Sequence, residues 1–320
     1  MFHRDIGRAI VAAVQDSFTV WALTAVAAIG TWVPSAQACS VCGCGEPLAS
    51  LGQTRLKAGQ VQLAMEYEFL TARARSDSDP ALVETLTQMT LRPVFVFSPW
   101  DNLMAIVQIP LVYKSWAEAT PGVDPNSARP KGLGDVDLSA RLFVLNRIHL
   151  ARRSRESLAL SAGTSLPTGP NAAQANGDRI DEHAQLGTGA WAPYAGVLYS
   201  LSREPWSFFA SINGRLPLRN DYGYRYGSAL LWSSRVERQL GDRVFLGVGL
   251  DGRYAWRDEH DRTLQSNTGG LVLAAVPLAR VRLWDELWLN GRAQLPFVTH
   301  LFGDQSVGAT FTAAVQYTFQ

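Results

Sequence analysis

The residues from Val307 to Phe319 alternate without a break. Val307, Ala309, Phe311, Ala313, Val315, Tyr317 and Phe319 are apolar, and Gly308, Thr310, Thr312, Ala314, Gln316 and Thr318 separate them. Side chains on a β-strand point to opposite faces in turn, so the pattern describes a strand with one apolar face and one small or polar face. Its length sets it apart: strands of globular proteins average about 5 to 6 residues, whereas about 9 to 11 tilted residues are needed to cross a bilayer. If such a strand lies in lipid, the sheet must close on itself, because only helices and closed barrels satisfy every backbone polar group there.

The same period recurs upstream. Val61, Leu63, Met65, Tyr67 and Phe69 share one face, with Glu66 and Glu68 on the other. Comparable runs begin near Thr87, Leu103, Val136, Leu158, Ala195, Trp206, Leu230, Val244, Gly270 and Leu287. With the terminal strand they make about twelve, an even number as bacterial barrels require. The fold expected over residues 60–320 is therefore all-β, an antiparallel transmembrane β-barrel. The links support it. Ser98 to Asn102, Ser202 to Pro205, Gln239 to Arg243 and Leu283 to Glu286 are short, while Ala117 to Gly134, Pro167 to Gln185, Arg219 to Gly227 and Arg257 to Asn267 are long. Short turns at one end and long loops at the other mark a barrel with both termini in the periplasm. The arginine-rich stretch from Asn146 to Glu156 is too long for an inner turn and breaks the trend. Aromatic girdles are expected from Trp100, Trp206, Trp284, Tyr317 and Phe319 at one interface and from Tyr113, Trp116, Tyr254 and Trp256 at the other.

Residues 1–38 read as a cleaved signal peptide, with His3, Arg4 and Arg8 ahead of an uncharged run from Ser17 to Val33 and an Ala36-Gln37-Ala38 cleavage site. Residues 39–59 form a cysteine-bearing N-terminal segment, periplasmic or plugging the bore, and the barrel follows. A net charge of +1 with no basic stripe or glycine-rich phosphate cradle gives nucleic acid no surface to bind.

Four segments resemble the outer-membrane family named after the meta pathway of phenol degradation, whose members are described as transporter-like. They are Gly132 to Arg141 (GLGDVDLSAR), Leu160 to Gly169 (LSAGTSLPTG), Leu186 to Pro193 (LGTGAWAP) and the closing VQYTF. The resemblance implies an outer-membrane barrel that passes small solutes, aromatic ones among them, and it transfers no site residue. The closing Tyr-x-Phe is also similar to the terminal strand that the barrel assembly machinery reads. Outer-membrane lipid, that machinery and a small-molecule solute are the expected partners.

Two groups of residues carry candidate chemistry. Cys39, Cys42 and Cys44 form a C-x-x-C-x-C cluster whose thiolates could hold a soft ion, copper or zinc, pair as a disulfide, or in the case of Cys39 carry lipid. The interior-facing charges are Glu66, Glu68, Arg92, Asp137, Arg141, Arg215, Arg235, Glu237, Asp251, Arg253, Arg280, Arg282 and Arg292. Their arginine excess favours anions, and such residues line a water-filled lumen or cross-link a filled one. His183, His260 and His300 lie near Asp181, Asp261 and Asp304 in long loops, but no serine motif accompanies them, so an enzyme is not expected. The expected function is a passive outer-membrane channel. Its alternative is a barrel scaffold for metal binding or redox sensing through the cysteines.

Overall fold

In the computed structural model the described residues are 55–75, 83–119, 122 and 125–319. Twelve long strands form one antiparallel sheet. They are β1 Val61–Arg75, β2 Val83–Trp100, β3 in two pieces (Leu103–Gln108 and Leu111–Ala119), β4 Asp137–His149, β5 Ser154–Ser165 and β6 Ala192–Arg203. The second half comprises β7 Trp206–Arg215, β8 Ala229–Leu240, β9 Val244–Ala255, β10 Gly270–Arg282, β11 Leu287–Leu301 and β12, also in two pieces (Gln305–Val307 and Thr310–Phe319). Each strand pairs with its neighbour in sequence, and β1 pairs with β12 as well as β2, so Val61 faces both Phe97 and Phe319. That second pairing shuts the sheet and removes its free edges.

The alternation read from the chain is the alternation of the wall. On β1, Leu63, Met65 and Tyr67 are 43%, 45% and 43% exposed, while Glu66 and Glu68 between them are 3% and 2% exposed. On β12, Phe311, Val315 and Tyr317 point outward, and Thr312, Ala314 and Gln316 are buried. Large apolar side chains outside and buried carboxylates inside invert the arrangement of a water-soluble protein, for which each exposed Leu or Met would forgo about 1.5–3 kcal/mol of burial. A hydrocarbon surround removes that penalty.

Two expectations need correction. The stretch from Asn146 to Glu156 is no long link: β4 continues to His149, a tight turn over Leu150 to Arg153 follows, and β5 starts at Ser154. A register shift between Phe143 and Leu145 breaks the period there and hides the end of the strand from the sequence. Trp116 belongs to no girdle. It is 4% exposed and faces inward, packed in one cluster with Leu70, Ala72, Leu86, Ala175, Ile180 and Ala184.

Candidate functional site

The inward positions of β2 and β3 divide the bore into layers. Along β2 they run Leu86, then Gln88, Thr90 and Arg92, then Val94 and Val96. Along β3, in the opposite direction, they run Met104 and Ile106, then Gln108, Pro110, Val112 and Lys114, then Trp116. β2 thus places apolar side chains at either end of a polar middle, and β3 does the same around a mixed middle in which Pro110 and Val112 lie between Gln108 and Lys114. The layer toward the termini is filled by Leu56, 1% exposed, against Ala64, Val94, Val96, Met104, Ile106 and Tyr194. At the other end the filling comes from the link between β5 and β6, whose Ala175, Ile180 and Ala184 pack on Trp116.

Between these layers lies a cavity of about 140 Å³, lined by β2, β3, β4 and the ends of β7 to β9 together with the inner side of that link. Arg92, Asp137, Arg215 and Arg253 border it. Arg92 bonds Glu66 and stands 3.7 Å from Glu68. Arg215 lies 3.8 Å from Asp137, with Ser165 hydrogen-bonded to both. The Nε of Arg253 is buried and has no hydrogen-bond partner among the described residues. Lys114, which the sequence reading passed over, donates from Nζ to the carbonyls of His183 (2.8 Å) and Gln185 and so fastens the link from below.

The remaining charges read as interior sit elsewhere. Arg141 is 1% exposed on β4. Arg280 pairs with Glu237 at 3.2 Å, and Arg235 stacks at 4.6 Å on the ring of Phe209. Asp251 accepts from Ser233 and Gln294, both at 2.6 Å. Arg292 shares a small recess with Arg235 and Arg280. Arg282 turns to the rim, where it donates to the Asp242 carbonyl at 2.6 Å. Cys39, Cys42 and Cys44 lie outside the described residues, as does the leader. Among the described residues no group of three or more His, Cys, Asp or Glu is placed to hold a metal ion.

Three of the segments that carried the family resemblance meet in one knot. Asp135 accepts from the Gly169 amide (3.0 Å), the Thr188 amide (2.7 Å) and the Thr188 hydroxyl (2.6 Å). Thr168 donates to the Gly134 carbonyl and accepts from the Val136 amide, both at 2.9 Å. A Cβ on Gly187 would collide with the Gly169 carbonyl and the Asp135 carboxylate, so the close approach requires glycine there. None of Asp135, Thr168 and Thr188 had been singled out as a site residue. Their signal was the Gly134-Asp135, Pro167-Thr168-Gly169 and Gly187-Thr188-Gly189 of those segments, whose purpose appears only when the chain folds back.

Over the cavity, three links are tied through one carboxylate. Asp258, 3% exposed, accepts from the Tyr224 hydroxyl (2.6 Å) and the Gly227 amide (2.7 Å), and lies 2.9 Å from His183 Nε2. Burial, reinforced by Asp258, pushes the Tyr224 phenol well above its ordinary value of 10.0, and burial together with Glu182 does the same for Tyr226. A phenol kept neutral in this way is a hydrogen-bond donor, the opposite of an activated nucleophile. His183 therefore serves a latch. His260 stands 3.7 Å from Asp261 with both side chains largely exposed, and His300 is exposed as well.

Closed wall, apolar outer face and charged, filled interior together define an outer-membrane β-barrel protein. Comparison of structures agrees. The chain is similar to the COG4313 outer membrane channel from Pseudomonas putida F1, with a TM-score of 0.62 at 15% identity over 82% of this chain and 97% of that one. Weaker likenesses include the transport unit of the autotransporter AIDA-I from Escherichia coli (TM-score 0.47, 9% identity, 85% and 95% of the two chains) and the translocator domain of NalP from Neisseria meningitidis (0.45, 12%, 84% and 92%). At such identities the likeness is one of fold. No family model matches the sequence, and no curated protein matches it.

Proposed function

We propose that the protein is a passive channel for small solutes, aromatic or anionic, whose passage is controlled by the link between β5 and β6. The observation that carries this reading is the charged cavity held between two fillings of the bore. Its 140 Å³ is the size of one small molecule; an engineered protein cavity of about 150 Å³ accommodates benzene. Pro110, Val112 and Leu186 offer apolar surface on its lining, and Arg92, Arg215 and Arg253 offer cationic groups. An aromatic ring with an acidic substituent meets both. The resemblance to the phenol-degradation family and the channel character named for the Pseudomonas putida structure support the same reading. In it the mature chain begins near Cys39 and keeps its termini on the periplasmic side, and no catalytic step is assigned.

Planar-bilayer recording tests it. Purified protein that passes heat-modifiable mobility as its folding control is expected to conduct in small steps, and benzoate added to either chamber to reduce chloride current. A folded barrel that conducts neither chloride nor benzoate would end the channel reading.

A further inference from the structure

A second recess opens from the bore on the arc formed by β8 and β10 to β12. It offers about 30 Å³ and is lined by Arg235, Arg280, Asn290, Arg292 and Thr312 together with the apolar surface of Leu278, Gly291 and Ala314. The register explains the convergence: Arg292 stands opposite Thr312 across β11 and β12, and Arg280 stands opposite Asn290 across β10 and β11. Three guanidinium groups share the recess, and the carboxylate bonded to one of them is Glu237, 3.2 Å from Arg280. Glu68 neighbours Thr312 by register; one of its oxygens lies 3.7 Å from Arg92, and the other is buried without a hydrogen-bond partner among the described residues. The lining itself holds three arginines and no carboxylate.

Two of these groups are buried yet unsatisfied. Thr312 is 6% exposed, and neither its Oγ1 nor the Nε of Arg292 finds a hydrogen-bond partner among the described residues. Buried donors without acceptors are costly, and an incoming acceptor recovers that cost. The other two arginines are held by their faces. Arg235 lies 4.6 Å from the Phe209 ring centroid and Arg280 lies 5.0 Å from that of Trp288. A ring face attracts a guanidinium placed over it, and a guanidinium recognises planar oxyanions through its N–H fork.

We propose that this recess binds the carboxylate group of a small organic acid, with Arg292 and Thr312 as its direct donors and Arg235 and Arg280 supplying the surrounding field. The volume sets the limit on size. About 30 Å³ is room for about two waters, enough for a carboxylate head but not for a ring. The proposal rests on the channel reading only for the route by which the acid arrives.

Calorimetric titration of the detergent-solubilised protein tests it without requiring conduction. Benzoate and acetate are expected to bind, and benzyl alcohol, equal in ring but uncharged, is not. Arg292→Ala should weaken benzoate at least about tenfold, as loss of a charge-assisted bond does. Thr312→Val, which replaces a hydroxyl that bonds nothing and so threatens no existing contact, should weaken it about threefold. Absence of benzoate binding, equal binding by both variants, or equal binding of benzyl alcohol would each overturn the site. Conduction and the variants separate the two readings: a protein whose benzoate binding is weakened by Arg292→Ala but which passes no current loses the channel and keeps the site, and one that conducts while Arg292→Ala leaves benzoate binding unchanged loses the site alone.

Discussion

Replacing Asp258 with alanine removes the acceptor on which the three links converge. The Gly227 amide, held at 2.7 Å, then loses its partner, the Tyr224 hydroxyl exchanges a bond of 2.6 Å for its longer contact of 3.2 Å with His183 Nε2, and His183 Nε2 loses a contact at 2.9 Å. A buried donor left unmade costs about 1–3 kcal/mol, so the two bonds together are worth at most about 4 kcal/mol, with about 2 as the floor if the Tyr224 hydroxyl turns to His183 or water enters. At about 1.4 kcal/mol per tenfold, the links should open between about thirty and a thousand times more often. Trypsin reads this through Arg179, which lies in the β5–β6 link and is itself bonded to Glu182 at 2.6 Å. When opening and closing are fast relative to cleavage, the cleavage rate follows the open population. Asp258→Ala should therefore be cut after Arg179 at least about thirty times faster than the parent, by the same arithmetic, with the barrel fragments intact and the bilayer conductance raised. Cleavage at the parental rate would show that the carboxylate does not hold the links and would refute the latch.

Gly187→Val should unseat the link from the other side, because its side chain would enter the space of the Gly169 carbonyl and Asp135; faster Arg179 cleavage together with larger conductance is expected, and parental behaviour would count against the knot. Arg92→Ala strands Glu66 and Glu68 without their cation inside the bore, and breaking a buried pair costs about 3–5 kcal/mol, so the temperature of heat modification should fall. For the alkaline range the sign is fixed by Tyr224 and Tyr226, whose phenols are raised above 10.0 by burial. The latched state favours the protonated phenol, so its contribution is complete below pH 10.0 and is lost as pH rises through the elevated value. Ultraviolet phenolate titration should show a late-titrating class that Asp258→Ala brings down; a single class near 10 in the parent would contradict it.

The wall was legible because alternation is a local rule. Leu63, Met65 and Tyr67 against Glu66 and Glu68 can be read with no knowledge of any other strand, and so can β12. What fills the wall was not legible, for a physical reason visible on β2. Pro93 to Phe97 is apolar on both faces, so the sequence shows that Phe95 and Phe97 face lipid but not that Val94 and Val96 face protein. Their partner is Leu56, and the partners of Trp116 are Ala175, Ile180 and Ala184, contacts that no period along the chain announces. Trp116 was misassigned for that reason: an aromatic near a strand end looks the same whether it meets a head group or a folded-in link. The Asp135 knot shows the converse, since its glycines and threonines stood out as a pattern while the contact that explains them joins residues 34 and 53 apart.

Wall and filling are held by different forces, and this separates the variants. The twelve strands are joined by continuous backbone ladders from β1 round to β12, which no side-chain replacement removes. The link between β5 and β6 is held by side-chain bonds from Lys114, Asp135 and Asp258, each of which water or a polar solute can replace, and by the apolar contacts around Trp116. Asp258→Ala and Gly187→Val should therefore leave the temperature of heat modification within a few degrees of the parent's, a bound of about 1 kcal/mol or less, while Arg92→Ala lowers it. If Asp258→Ala lowers that temperature as far as Arg92→Ala does, the link is a structural part of the barrel rather than a removable obstruction. A channel whose obstruction cannot leave without unfolding the wall conducts nothing, and in that case the passage proposed here would have to lie elsewhere in the bore.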